Sequence, residues 1–229
     1  MHRMHRMHRS AHPSIAGREA VMAELTDTVR RLVEVCTLVD GSAEVLAAAT
    51  SSLAAVVRDL EAVVPDLPHP RFARSGDGPA APDLGDAMPY DVVVGRCNPL
   101  APPVVMEAGH RAVGHCRFGR AYEGAPGWVH GAALAGAFDI VLTAANQLAG
   151  AAGPTVSLRI RFRRPTLLHE ECRFEAEVLR QSARRVVSAG RLVQAGRVTV
   201  DAEGEFAVVD PETLRSGRPG GGAIGGTAS

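Results

Sequence analysis

Residues 127–139 read G-W-V-H-G-A-A-L-A-G-A-F-D, and their types and spacing suit chemistry on a carbonyl. A His-Gly pair, His130 and Gly131, opens an apolar run of small residues with helical character. The first amides of a helix lack intrahelical acceptors and sit at the positive end of the helix dipole. They are therefore suited to an oxyanion or a carbonyl oxygen. Asp139 follows eight residues after Gly131, with no charged neighbour in sequence. Burying an isolated carboxylate is costly without a compensating role. Eight residues of helix span about 12 Å. Gly131 and Asp139 of one helix therefore cannot share a small reacting centre, whereas two antiparallel copies can, each helix start facing the other's acid. Ala132, Ala133, Ala135, Gly136 and Ala137 would let backbones approach closely in such a pair.

Each of these residues has a plainer reading. Asp139 would also serve as a buried acid held by local hydrogen bonds, and Gly131 as an ordinary helix-start glycine. His130 is either a general base or a residue that orients the loop. Trp128 reads as packing rather than as a stacking surface for substrate. Among the basic residues, Arg159, Arg161, Arg163 and Arg164 could bind phosphates. Alternatively they form a solvated strand face salted against Glu171, Glu175 and Glu177 on the next strand.

The elements that must position these groups follow from periodicity. Residues 19–64 predict a helical hairpin. Leu25, Val29, Leu32, Cys36 and Val39 keep helical spacing, and Asp40-Gly41-Ser42 breaks it. Ser42 caps a second helix, in which Leu46, Ala49, Leu53, Val56, Leu60 and Val63 recur in steps of three and four, a coiled-coil-like stripe. Residues 65–90, rich in Pro, Gly, Asp and Ala, read as a linker. A second unit spans 91–210. Val92–Val94, Val104–Glu107 and Arg111–Phe118 are strand candidates, the last two joined by a tight turn at Gly109-His110. The helix over 127–148 follows. Then come alternating runs: Val156 to Phe162, Cys172 to Val178, Val186–Val193 and Val198–Val208. Alternation marks antiparallel strands with one wet face. The predicted class is α+β, an antiparallel sheet wrapped around one long central helix, with the N-terminal helical hairpin outside it. Residues 1–18, with His2, His5 and His8 in a triplet repeat, read as a tail rather than a metal tract, and 211–229 as a disordered tail.

Composition removes several classes of function. The 25 basic residues, all Arg, balance 25 acidic ones, so charge favours neither nucleic acid nor an anionic membrane as partner. Aromatic content is 4%, too low for base-stacking platforms. Cys36, Cys97, Cys116 and Cys172 form no C-x-x-C pair, so zinc and a disulfide framework are not expected and reduced cytosolic thiols are. No apolar run reaches the length of a membrane span.

The run at 130–139 resembles the H-G-G-x(n)-D signature of hotdog-fold acyl-CoA thioesterases, in particular the phenylacetate-pathway type. N-P-L-A-P-P at 98–103, A-Y-E-G-A-P-G-W-V-H-G at 121–131, R-F-R-R-P at 161–165 and Glu203–Phe206 resemble that family too. The resemblance covers about 91–210. It implies a hotdog fold and hydrolysis of an acyl-CoA to free acid and CoA, by a homodimer or tetramer with composite sites. It requires no metal or redox cofactor; coenzyme A enters as part of the substrate. It implies that the Gly131 N–H polarises the thioester carbonyl, that Asp139 is base or nucleophile, and that Thr155 positions water. His130 would support the loop. Two departures stand out. The second glycine of H-G-G is Ala132, which keeps its backbone N–H for the oxyanion hole while its methyl would narrow acyl access. A position that carries Asn in many members is Gly124, where neighbouring Glu123 would substitute. A hydratase or dehydratase acting on enoyl-CoA, and a non-catalytic acyl-CoA-binding module, are the competing expectations.

Overall fold

The computed structural model describes residues 12–67, 88–102, 104–107, 111–151 and 153–209. Six strands form one antiparallel sheet: β1 (Val105–Met106), β2 (Ala112–Arg117), β3 (Thr155–Phe162), β4 (Glu171–Gln181), β5 (Arg185–Gln194) and β6 (Arg197–Ala207), in the order β1-β2-β4-β5-β6-β3. Among the described residues three α-helices precede or interrupt them: α1 (Glu19–Cys36), α2 (Ala43–Glu61) and α3 (Gly131–Leu148). The expected sheet around a central helix is what forms.

Alternation explains which face of the sheet packs on α3. On β4, Cys172 and Phe174 are fully buried, while Glu171 and Arg173 face solvent. Leu134, Ala137, Phe138, Val141, Leu142 and Ala145 form the buried stripe of α3. Phe138 meets Phe174 edge to face at 5.2 Å between ring centroids. Leu142 presses so close to the sheet that a Cβ at Gly204 would lie 3.0 Å from its Cδ1. Buried Asn146 and Ser188 hydrogen-bond to each other and tie the end of α3 to β5. The length and apolar character of α3 would suit a membrane span, but half of it is buried here as the core helix.

The structure departs from several sequence-based expectations. Val92–Val94 is not a strand: Asp91 Oδ1 accepts from the amides of Val93 (2.8 Å) and Val94 (3.0 Å), which closes a turn. Residues 88–101 form a compact knot, with Cys97 N–H bonded to the Pro89 carbonyl and Gly95 N–H to that of Asp91. Residues 88–90, expected in the linker, thus belong to this knot; residues 68–87 lie outside the described residues. The two N-terminal helices form where the spacing places them, and Ser42 caps α2. They follow one another across the break at Asp40-Gly41-Ser42, and α2 buries no residue against α1 or the sheet. Helix α1 docks on the knot: the Arg30 guanidinium donates to the carbonyls of Asn98 (2.9 Å) and Gly95 (3.3 Å). Within the expected N-terminal tail, residues 13–15 form a 3-10 turn. His12 and Ser14 beside it are buried, and Ser14 Oγ donates to the Tyr90 hydroxyl at 2.9 Å. The tract with His2, His5 and His8, the turn at Gly109-His110 and the tail at 211–229 lie outside the described residues.

β5 and β6 are joined by the two-residue loop Ala195-Gly196, both with positive φ, 48° and 72°. Such turns favour Asn-Gly, and an alanine in the left-handed region is strained. Ala195→Asn is expected to raise stability by about 0.5–1 kcal/mol, read as a higher denaturation midpoint with unchanged m-value. A Cβ at Gly95 would lie 2.4 Å from the Asp91 carbonyl oxygen. Gly95→Ala is therefore expected to cost about 1–3 kcal/mol in the same measurement.

Candidate active site

The start of α3 is built by its own cap. His130 is the N-cap residue, extended at φ −63° and ψ 135°, and its Nδ1 accepts the Ala132 N–H at 3.0 Å. The neutral ring therefore carries its hydrogen on Nε2. The Ala133 and Leu134 amides donate to the His130 carbonyl at 3.0 and 3.3 Å. Of the first-turn amides, that leaves Gly131 N–H without an acceptor among the described residues. The oxyanion donor expected at the helix start is thus a single amide. Ala132, expected to line the substrate through a free amide and a methyl, has its N–H spent on the cap, though its side chain stays exposed.

The loop before His130 is held from several sides. Its N–H donates to the Tyr122 carbonyl at 2.8 Å. The Tyr122 hydroxyl donates to the Ala101 carbonyl at 2.8 Å, and the ring meets Phe118 edge to face. Burial pushes the Tyr122 phenol above its ordinary pKa, so it remains a donor. The Val129 amide reaches the Thr166 carbonyl, and Leu168 N–H that of Gly127. Tyr122 thereby links the 88–101 knot to the helix start. Sequence reasoning missed it, although it lies in the quoted 121–131 run.

The two departures acquire physical explanations. A Cβ at Gly124 would lie 2.9 Å from His130 Cα, so no asparagine fits there unless the His130 backbone moves. Glu123 does not substitute for it. Its Oε1 accepts from Gly127 N–H at 2.7 Å and its Oε2 pairs with Arg120 at 2.9 Å, so both oxygens serve the loop. Trp128 is half-exposed and bridges to Leu167.

The acid half of the site lies two turns along. Asp139 is half-buried, and its Oδ1 accepts from the Thr155 hydroxyl at 2.6 Å. Thr155 opens β3, so a 16-residue return brings the two together. Its hydroxyl thus orients the carboxylate directly. Asp139 Oδ2 has no partner among the described residues. At the other end of β3, Phe162 covers Gly131: a Cβ there would lie 3.1 Å from Phe162 Cζ. One strand therefore touches both halves of the site, while helix pitch keeps the halves about 12 Å apart.

The arginines divide differently from either sequence reading. β3 pairs with β6, so Arg159 and Arg161 stand opposite Glu203 and Asp201, not opposite the β4 glutamates. Arg163, a candidate for substrate phosphate, is ion-paired with Asp201. Arg164 Nη1 donates to the Val198 carbonyl at 2.9 Å. Both guanidiniums are thus already engaged by β6. Among the described residues, no three His, Cys, Asp or Glu side chains converge as a metal site.

Because His130 acts through a ring acceptor at the N-cap, the cap should tolerate another side-chain acceptor. His130→Ala is expected to cost about 0.5–2 kcal/mol of stability and His130→Asn much less, compared by chemical denaturation.

Comparison with known proteins agrees with this geometry. Residues 126–201, from the loop before α3 to β6, match the model of the thioesterase superfamily. A crystallised thioesterase superfamily protein is 31% identical, with a TM-score of 0.70, over 81% of this chain and 94% of its own. The 91–210 unit is only about half of this chain, so that likeness extends into the flanking segments. The Escherichia coli PaaI protein from the phenylacetic acid degradation operon is 18% identical, with a TM-score of 0.43, over 47% of this chain and 78% of its own. Zebrafish thioesterase superfamily member 2 is 20% identical, with a TM-score of 0.43, over 46% and 80%. No curated protein sequence matches the chain significantly. The free Gly131 amide, the Asp139–Thr155 pair and the sheet wrapped on α3 thus sit in a chain that belongs to the thioesterase superfamily and has its hotdog fold.

Proposed function

We propose that this protein hydrolyses an acyl-CoA thioester to the free acid and CoA, at sites completed by two copies of the chain. The observation that carries the reading is the pairing of one unfilled helix-start amide with one oriented carboxylate, on a single helix and out of each other's reach. A thioester carbonyl is electrophilic and its thiolate leaves readily, so one amide donor and one carboxylate suffice. Asp139, held by Thr155, either takes a proton from the attacking water or attacks the carbonyl carbon itself. The oxyanion develops against the Gly131 N–H of the other copy. Collapse of the intermediate breaks the C–S bond. On the base route the CoA thiolate takes up the proton that Asp139 removed from water; on the nucleophilic route water then hydrolyses the acyl-aspartyl anhydride, releasing the acid, freeing Asp139 and supplying the proton. No step calls for a metal or a redox group.

The edge strand supports the composite arrangement. The outer edge of β3 has no neighbour among the described residues, and Val156 and Phe162 on it are about half exposed. An open, partly apolar edge invites pairing with another chain. It also lies beside both Gly131 and Asp139, where a second copy must come. The hydratase alternative needs a histidine base near an acid. His130 spends Nδ1 on its own helix and stands nine positions from Asp139.

Asp139→Asn is expected to lower thiol release from a panel of acyl-CoAs by about 10²–10⁴-fold, and Thr155→Ala by less. A wild-type rate for Asp139→Asn, or enoyl-CoA hydration without thiol release, would sink the proposal. Mixed particles test the shared site. Gly131→Pro removes the amide hydrogen at a position where helices accept proline; its ring must displace Phe162, so the helicity of the variant is checked alongside its activity. Combining Gly131→Pro chains with Asp139→Asn chains restores one intact site in each mixed pair. About a quarter of wild-type activity should then return after random pairing, whereas no gain over the two parents contradicts site sharing.

A further inference from the structure

The most conspicuous feature the catalytic reading leaves unused is α2. It buries no residue, yet Leu46, Leu53, Val56 and Leu60 of its stripe are 42%, 38%, 51% and 43% exposed. We propose that this stripe pairs with α2 of a second copy of the same chain.

Four observations point to that occupant. The alternating three- and four-residue spacing is the pattern of helix-on-helix packing by knobs into holes, and a stripe repeated on an identical chain meets its own complement. Small Ala49 within the stripe allows close approach of a second helix. With Val45 and Val57, also more than half exposed, the stripe presents on the order of 500 Å² of apolar surface per copy. A pair would bury about 1,000 Å², the least that a specific interface should clear. An isolated helix of 19 residues is only marginally stable in water, so an α2 without a covering partner would fray. Charge argues against a lipid surface as the occupant. Over Ala43–Glu61 the charged residues are Glu44, Asp59, Glu61 and one Arg58, three acids to one base, where an anionic bilayer selects basic helices. No charge interrupts the stripe, so two copies meet without like-charge repulsion.

The contact does not rest on the catalytic reading, and its test uses the full chain. Light scattering is applied to the wild type and to Leu53→Glu/Leu60→Glu. Both positions lie on a helix with no buried residue, so the hotdog unit is expected to stay folded, and thiol release is followed as an independent signal. Since the catalytic pair is held at the β3 edge, α2 pairing joins two such pairs, and the particle mass is expected to fall by half, from four chains to two, with thiol release retained. A variant of unchanged mass and helicity overturns the proposal, and so does a monomeric wild type, whether or not it sediments with phosphatidylcholine/phosphatidylglycerol vesicles. A second variant covers the case in which the charged helix melts. Cys36, exposed on α1, is replaced in Cys36→Ser/Leu53→Cys. Oxidised glutathione should then link two chains through the residue-53 thiols, releasing two reduced glutathiones, with more than half the protein running as a disulfide dimer. Cys36→Ser alone should give none. Absence of the linked dimer in the Leu53→Cys chain overturns the pairing.

Discussion

The fixed rise of an α-helix governs this molecule more than any single contact. Gly131 and Asp139 belong to one rigid rod, α3, clamped under the sheet by Leu134, Phe138, Val141 and Leu142. No side-chain motion closes a gap set by helix pitch. In the proposed reaction the amide donor and the carboxylate therefore act together only through another copy of the rod. The rest of the unit holds α3 still and keeps its working flank accessible. Apolar contact with the sheet and the Asn146–Ser188 bond fix its position. β3 lies along the working flank with a free edge.

The helix start is governed by a second constraint, the number of amides left over. A helix begins with several unsatisfied donors, and here the His130 ring and carbonyl take all but one in the first turn. A single donor defines a direction as well as a charge preference. The surrounding hydrogen bonds serve that definition. Tyr122 carries it to the 88–101 knot, and through that knot α1 and the turn at residues 13–15 become part of the site's foundation. The N-terminal segments are thus mechanically continuous with the helix start, although they lie far from it in sequence.

How much was legible in advance depended on range. Alternation exposed β4, β5 and β6 because each has a wet face and a dry one, and the α3 stripe and Ser42 cap are equally local signals. The partner of β3 was not legible: which strand lies beside it depends on the path of the whole chain, and its arginines were assigned to the wrong glutamates. Gly131, Asp139 and Thr155 could be singled out by residue type and resemblance. That Thr155 touches the carboxylate itself required the return of β3 to α3. Glu123 and Ala132 were misjudged because backbone amides compete for the same groups, and residue types do not record that competition. Asp91 defeated the strand expected at Val92–Val94 in the same way, by capping a turn.

The contact between Gly124 and His130 has a consequence for how this loop can be redesigned. A side chain at 124 would press on the backbone of the residue that caps α3, not on a movable side chain. Any residue larger than glycine there would first require the loop from 124 to 130 to open, and would unsettle the helix start with it. A designer wishing to add a side chain at 124 would therefore have to replace the whole segment at once.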